Sequence, residues 1–242
     1  MKYLLFFLTV LVANIIQGIT GFAGTILAMP PSIMLVGFDV AKPILNVLGI
    51  LSGVYVYFSY GKDVNWKEFK KIIIIMVIGI VSGLYLKTLF IGKEAYLYKI
   101  LGTIVIILAV QGLYKNYKKK QVKSKNKYLS YVLLVCAGIV HGMFVCGGPL
   151  LISYLSDKIK DKVSFRATIS TVWIVLNTII LLDDIKIGLI TSSTIKLLIV
   201  SIPFLFFGMY IGTKLYKKMN QEIFMKLTYS LLIISGLSLF IK

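Results

Sequence analysis

The sequence predicts an all-α, polytopic membrane bundle of two related halves, each a glycine-broken first segment followed by three transmembrane helices. Three observations carry that prediction. The 242-residue chain is 58% hydrophobic and 15% charged, with a mean hydropathy of +0.91. Its charge-free stretches 72–86, 100–114, 167–182, 197–213 and 227–241 extend readily to the ~20 helical residues that cross a ~30 Å hydrocarbon layer. Two glycine breaks, Gly18-Ile-Thr-Gly-Phe-Ala-Gly24 and Gly142-Met-Phe-Val-Cys-Gly-Gly148, stand 124 positions apart inside apolar sequence.

The first element opens as Met1-Lys2 and an apolar run from Tyr3 to Ala13, which imitates a signal peptide. No small-x-small cleavage site follows, and the counterpart run Tyr128–Val140 lies mid-chain, so the segment is expected to be retained. At 1.5 Å per residue, 3–17 reaches ~22 Å and 25–37 about 20 Å, too little for either piece to span comfortably. A hairpin of half-helices meeting at the midplane fits both lengths. In the second half Leu150–Leu155 is shorter, so a hairpin and a single kinked crossing both fit.

Three long apolar helices follow each break. Gly83-Leu-Tyr-Leu86 matches Gly208-Met-Tyr-Ile211, and Glu94 matches Glu222, an order that loop insertions preserve. The halves are 1–114 and 128–242, joined by a basic cytoplasmic linker, 115–127, with seven lysines and no acid. Gly49-x-x-x-Gly53, Gly79-x-x-x-Gly83 and Gly208-x-x-x-Gly212 each put two small residues on one helix face and read as packing devices.

Net charge is +18, from 27 Lys+Arg against 9 Asp+Glu. The lysines cluster between apolar segments without interleaved aromatics, which argues against nucleic acid and for anionic lipid at the cytoplasmic face. With both breaks re-entrant, the loops 61–71, 115–127, 157–166 and 214–220 carry 18 Lys/Arg inside against six outside. Single crossings reduce that bias to about 14 against 10. The larger asymmetry favours an inverted repeat with Asp183 and Asp184 on the outer face. A multi-pass protein of the plasma membrane is expected, with homo-oligomerisation left open.

Cys136, Cys146 and the single histidine, His141, have no metal-ligand spacing. No Ser/His/Asp cluster or paired acids lie within the apolar segments, and no nucleotide-binding signature occurs. Neither an enzyme nor a resident metal or cofactor is expected.

Matched breaks in two halves of an apolar chain point to a transporter's binding site. The helix after each break presents N–H groups and a positive dipole end, a receptor for a small anion that requires no side-chain charge. Gly18, Gly21, Gly24, Gly142, Gly147 and Gly148 let a ligand approach the backbone, and Pro149 suits a first helical turn. Thr20 and Thr25 offer hydroxyls, and Cys146 lies within the second break. Arg166, the only arginine, matches Lys42 across the repeat; it suits an oxyanion, and a cytoplasmic anchor accounts for it equally well. Asn46 and Ser170 are mates one turn further into the membrane. Gln17 and His141, also mates, precede Gly18 and Gly142, where a histidine could relay protons and couple anion movement to a proton or ion gradient.

The second break runs Ala137-Gly-Ile-Val-His-Gly-Met-Phe-Val-Cys-Gly-Gly-Pro149-Leu-Leu, with Phe165-Arg-Ala-Thr168 behind it. This resembles the TauE/SafE family of membrane proteins, which carries a glycine-rich motif running into Pro-Leu-Leu early in each half. The resemblance covers essentially the whole chain. It implies export or uptake of small sulfur-containing or organic anions such as sulfite and sulfonates. The chain departs from the family pattern at Gly21-Phe-Ala-Gly24, at Met29-Pro30-Pro31, at Val145-Cys146 and at Asn46, so the substrate does not follow from the motif. An anion channel and an accessory membrane subunit are the alternative readings.

Overall fold

Ten α-helices and one 3₁₀ turn account for nearly all of the described residues, which are 1–89, 94–117, 127–145, 147–238 and 240 of a computed structural model. The first half supplies α1 (Lys2–Thr20), α2 (Ala23–Val36), α3 (Phe38–Tyr60), α4 (Trp66–Leu89) and α5 (Glu94–Tyr117). The second supplies α6 (Lys127–Phe144), α7 (Gly148–Lys158), α8 (Lys162–Lys186), α9 (Ser192–Lys218) and α10 (Gln221–Ser238). In chain order, α1–α2 and α6–α7 are each followed by three further helices. Most of the basic linker, 118–126, lies outside the described residues.

Among the described residues five helices, α1, α3, α4, α8 and α9, are long and apolar enough to cross a membrane. Their outward faces are apolar too: Ile74, Ile78 and Val81 of α4 and Ile199, Phe206 and Phe207 of α9 are all exposed. Such surface suits lipid and not water.

The chain divides into two compact units that do not follow its two halves. One comprises Met1–Val64 and Arg166–Met219; the other comprises Asn65–Phe165 and Asn220–Lys242. In the first unit α1 runs parallel to α9. Phe7 stacks on Phe204 at 5.3 Å, Gly208 meets the Leu11 carbonyl, and Gly212 meets Gly18 and the Ile15 carbonyl. In the same unit α3 runs antiparallel to α8, with Gly49 against Asn177 and Gly53 against the Ser170 carbonyl.

The second unit repeats this scheme. There α4 runs parallel to α6, with Gly79 on Val135 and Gly138, Gly83 on Ile139, and Gly142 on Ile80. Antiparallel α5 and α10 meet where Gly102 faces Gly236 and Gly112 faces Tyr229. Tyr154 of α7 donates to Glu68 Oε2 at 2.5 Å, and Lys71 reaches Glu68 Oε1 at 2.8 Å. That buried pair ties α7 to the head of α4.

Two expectations change. Helix α1 runs 19 residues, ~28 Å, and passes straight through Gly18. Gly18 and Gly142 therefore lie inside α1 and α6, outside the breaks. Their missing side chains are explained by crossing helices: a Cβ on Gly18 would lie 3.0 Å from the Met209 carbonyl, and one on Gly142 would collide with the Ile80 carbonyl.

Replacing Gly212 by leucine forces α9 away from α1 and should cost about 1–3 kcal/mol or more. A clear fall in the thermal midpoint of the detergent-solubilised variant is the expected result, and an unchanged midpoint would refute this account of the crossing.

Candidate functional site

The first break is two residues wide. Gly21 ends α1 in the left-handed region at φ 83°, its N–H donating to the Gln17 carbonyl at 2.7 Å. From there α2 doubles back along α1. Gly24 is pressed against the Ala13 carbonyl and the Gln17 side chain. Between the two helices lies an apolar groove of about 590 Å³ that runs from Leu5 and Leu8 to Met34 and Leu35. The two helices thus form a hairpin, but not one of two half-helices: α1 is long enough to cross a membrane by itself, and α2 is the shorter arm.

The second break, between Phe144 and Gly148, follows a similar plan but sets its left-handed residue two positions before the pressed glycine, where the first break has three. Val145, mate of Gly21, also adopts a left-handed conformation, at φ 57°. A β-branched residue there carries backbone strain, the kind that collects at functional sites. Gly147 presses on the Ala137 carbonyl and His141, the mates of Ala13 and Gln17. So Gly147, not Gly148, stands where Gly24 stands. Gly148 opens α7 with Pro149 in its first turn. Cys146 lies outside the described residues.

The head of α2 carries its own caps. Thr20 Oγ1 accepts from the N–H of Phe22 (3.4 Å) and Ala23 (3.2 Å) and donates to the Ile16 carbonyl at 2.8 Å. Gln17 Oε1 accepts from the Gly24 N–H at 2.9 Å, while its Nε2 donates to Ser52 Oγ at 3.2 Å. Ser52 passes the chain on to the Gly49 carbonyl. Three amides expected to receive an anion are thus satisfied by side chains, as buried backbone donors must be. Thr25 lines a closed pocket beside them with Asn14, Gln17 and Ser52.

Charge enters the break from α8. A Cβ on Gly21 would lie 2.7 Å from Ser170 Oγ and 3.3 Å from Arg166 Cγ, so the three predicted residues Gly21, Arg166 and Ser170 are brought together. Arg166 is 1% exposed. Its Nη2 donates to Thr213 Oγ1 at 2.9 Å, and its guanidinium carbon lies 4.4 Å from the Tyr216 ring centroid and 5.0 Å from that of Tyr60. The buried Nε and Nη1 atoms make no hydrogen bond of good geometry among the described residues, and the Tyr60 side chain gives the guanidinium only a weaker one. A guanidinium offers paired donors of the geometry that oxyanions accept.

Lys42, the repeat mate of Arg166, is placed differently. It is 1% exposed, and its ammonium forms an ion pair with Asp184, which is fully buried. Asp184 is buried because α8 continues past Asp183-Asp184 to Lys186, which carries Asp184 onto the face packed against α3. Asn46, one turn below Lys42, spends its Nδ2 on the Asn177 carbonyl at 3.0 Å and acts as a link between helices. The sequence reading missed Tyr60, Thr213 and Tyr216. Tyr60 had a usable signal, since the 124-residue spacing pairs it with Asp184.

Membership of a transport family fits a broken, charged site inside an apolar bundle. The model of the sulfite exporter TauE/SafE family matches residues 6–239, and the chain belongs to that family. It is a multi-pass membrane protein. It is also similar to a protein of Comamonas testosteroni described as a probable inner membrane transporter protein, TsaS, with 29% identity over 103 residues. The matched stretch covers 42% of this chain and 43% of that protein. No solved structure matches significantly.

Removing one member of a buried ion pair strands the other, a loss of about 3–5 kcal/mol, whereas an apolar pair of similar volume is often neutral. Asp184→Asn should therefore lower the thermal midpoint sharply, and Lys42→Met with Asp184→Leu should restore most of it. Equal stability of single and double variants would exclude the buried pair.

Proposed function

We propose that the chain is a secondary transporter of the plasma membrane, moving a small anion such as sulfite, a sulfonate or a related organic anion. The observation that carries this reading is the meeting of a self-capped helix break with a buried arginine that retains unused donors. In an apolar bundle such a break is tolerated only where it is buried or lines a polar path. The substrate binds where Gly21, Ser170 and Arg166 converge. The capped head of α2 adds the positive end of its dipole, and α7 plays the corresponding part at the second break.

The two halves are related as an inverted repeat. Two facts support this: the mates α3 and α8 pair antiparallel, and so do the mates α5 and α10. A two-fold axis in the membrane plane produces antiparallel mates, whereas a repeat about the membrane normal leaves them parallel. Alternating access follows, with the roles of the halves exchanged between the two sides. The chain acts as a carrier and not an enzyme, and the gradient of the anion or of a coupled ion drives it. In this reading His141, the mate of Gln17 beside the second break, is the titratable group that couples anion movement to a proton gradient.

Proteoliposomes loaded with unlabelled anion should take up radiolabelled sulfite, methanesulfonate or acetate with saturation and counterflow. Gly21→Val, whose Cβ would strike Ser170, should lose that uptake while still inserting into the membrane. Single-channel currents without counterflow would replace the carrier by a pore, and normal uptake by the variant would remove the break from the mechanism.

A further inference from the structure

The antiparallel pair α3 and α8 carries the same two repeat positions at both of its ends. At one end these are Lys42 and Asp184, at the other Arg166 and Tyr60, each the other's mate at a spacing of 124 residues. The first end closes as a buried ion pair. The second holds the cation together with a tyrosine ring, 5.0 Å from the guanidinium carbon, at the place related to the carboxylate. Rings offer a cation their faces but no full negative charge. The remaining neighbours, Tyr216 and Thr213, are also uncharged, and Nε and Nη1 make no hydrogen bond of good geometry among the described residues.

The position of Arg166 sharpens this imbalance. It lies in the second turn of α8, near the positive end of that helix, so the dipole adds to its charge and does not offset it. Buried cations are normally balanced by a carboxylate or another anion. Lys42 meets that requirement from within the chain.

We infer that the transported anion is the counter-charge of Arg166: its oxyanion head accepts from the free guanidinium donors and does at this end of the α3–α8 pair what Asp184 does at the other. This rests on the carrier reading and adds a specific recognition rule to it. One guanidinium balanced by one charge selects a small monoanionic head whose oxygens accept in the plane of the donors. Tyr60 and Tyr216 present their ring faces to the guanidinium, so an anion reaches it through the donors left open at Nε and Nη1. Tyr60 is the specificity position, because a carboxylate there would make a second internal ion pair and take over the role of the substrate. Lys42, already neutralised, takes no part in anion binding.

The test uses the full chain in nanodiscs, titrated with sulfite and with methanesulfonate and followed by its thermal midpoint. The wild type should show a saturable upward shift with either probe. Tyr60→Asp should raise the midpoint without added anion and weaken anion binding by roughly 30-fold or more, the loss that follows when a buried charge pair is denied its partner. Arg166→Gln should lose binding without that gain, which keeps the inference testable if Tyr60→Asp does not fold. Wild-type affinity in either folded variant overturns it. Binding that Tyr60→Asp abolishes, in a protein that shows no uptake of any anion, would retain the site and reject the carrier. Uptake that persists unchanged in Tyr60→Asp would retain the carrier and reject the site.

Discussion

A helix interrupted inside apolar surroundings must find partners for its exposed amides, and much of this structure answers that requirement. At the first break Thr20 and Gln17 supply them, and Gln17 reaches on to Ser52, tying the turn to α3. These caps let α2 fold back along α1 without leaving donors bare in lipid, where each would cost several kcal/mol. They also relocate the chemistry. With the amides engaged, the donors left open beside the break belong to a side chain, Arg166.

The helix crossings that hold the break in place depend on glycine for a geometric reason. Gly18, Gly208 and Gly212 bring α1 and α9 to backbone contact, and Gly79, Gly83, Gly138 and Gly142 do the same for α4 and α6. Without a hydrophobic force between helices in lipid, close van der Waals approach is what association has to draw on. The polar groups between α3 and α8 work differently. Asn46 is held by the Asn177 carbonyl, and Lys42 by Asp184, so that helix pair is fixed by directed bonds.

Much of this was legible in the sequence because matched residues recur at a spacing of 124 positions. The 124-residue spacing located both breaks, paired Lys42 with Arg166, and singled out Gly21 and Ser170, which the fold brings together. Other features left no readable mark. A glycine pressed against a neighbouring helix looks like a glycine that ends one, so Gly18 and Gly142 were assigned to the breaks. The Gly147-Gly148 doublet concealed that one-residue difference in spacing, because either glycine could be set against Gly24. Asp183-Asp184 resembles an ordinary exposed helix end, and only the register of α8 on α3 reveals that Asp184 faces inward. The division into units was invisible for a similar reason: nothing local to α1 names α9 as its partner.

That last pairing has a consequence for biosynthesis. Helix α1 leaves the ribosome well before the helix it lies along, which begins only at Ser192. At about 5–20 residues per second, on the order of 10–40 s pass before α9 has been made. Throughout that interval Asn14 must be accommodated in a nascent chain without its final neighbour on α9. The Asn14 amide donates to the Val10 carbonyl of its own helix, a local bond that is available from the moment α1 forms. Insertion can thus begin with a segment whose polarity is partly hidden within itself, long before its lasting partner has been translated.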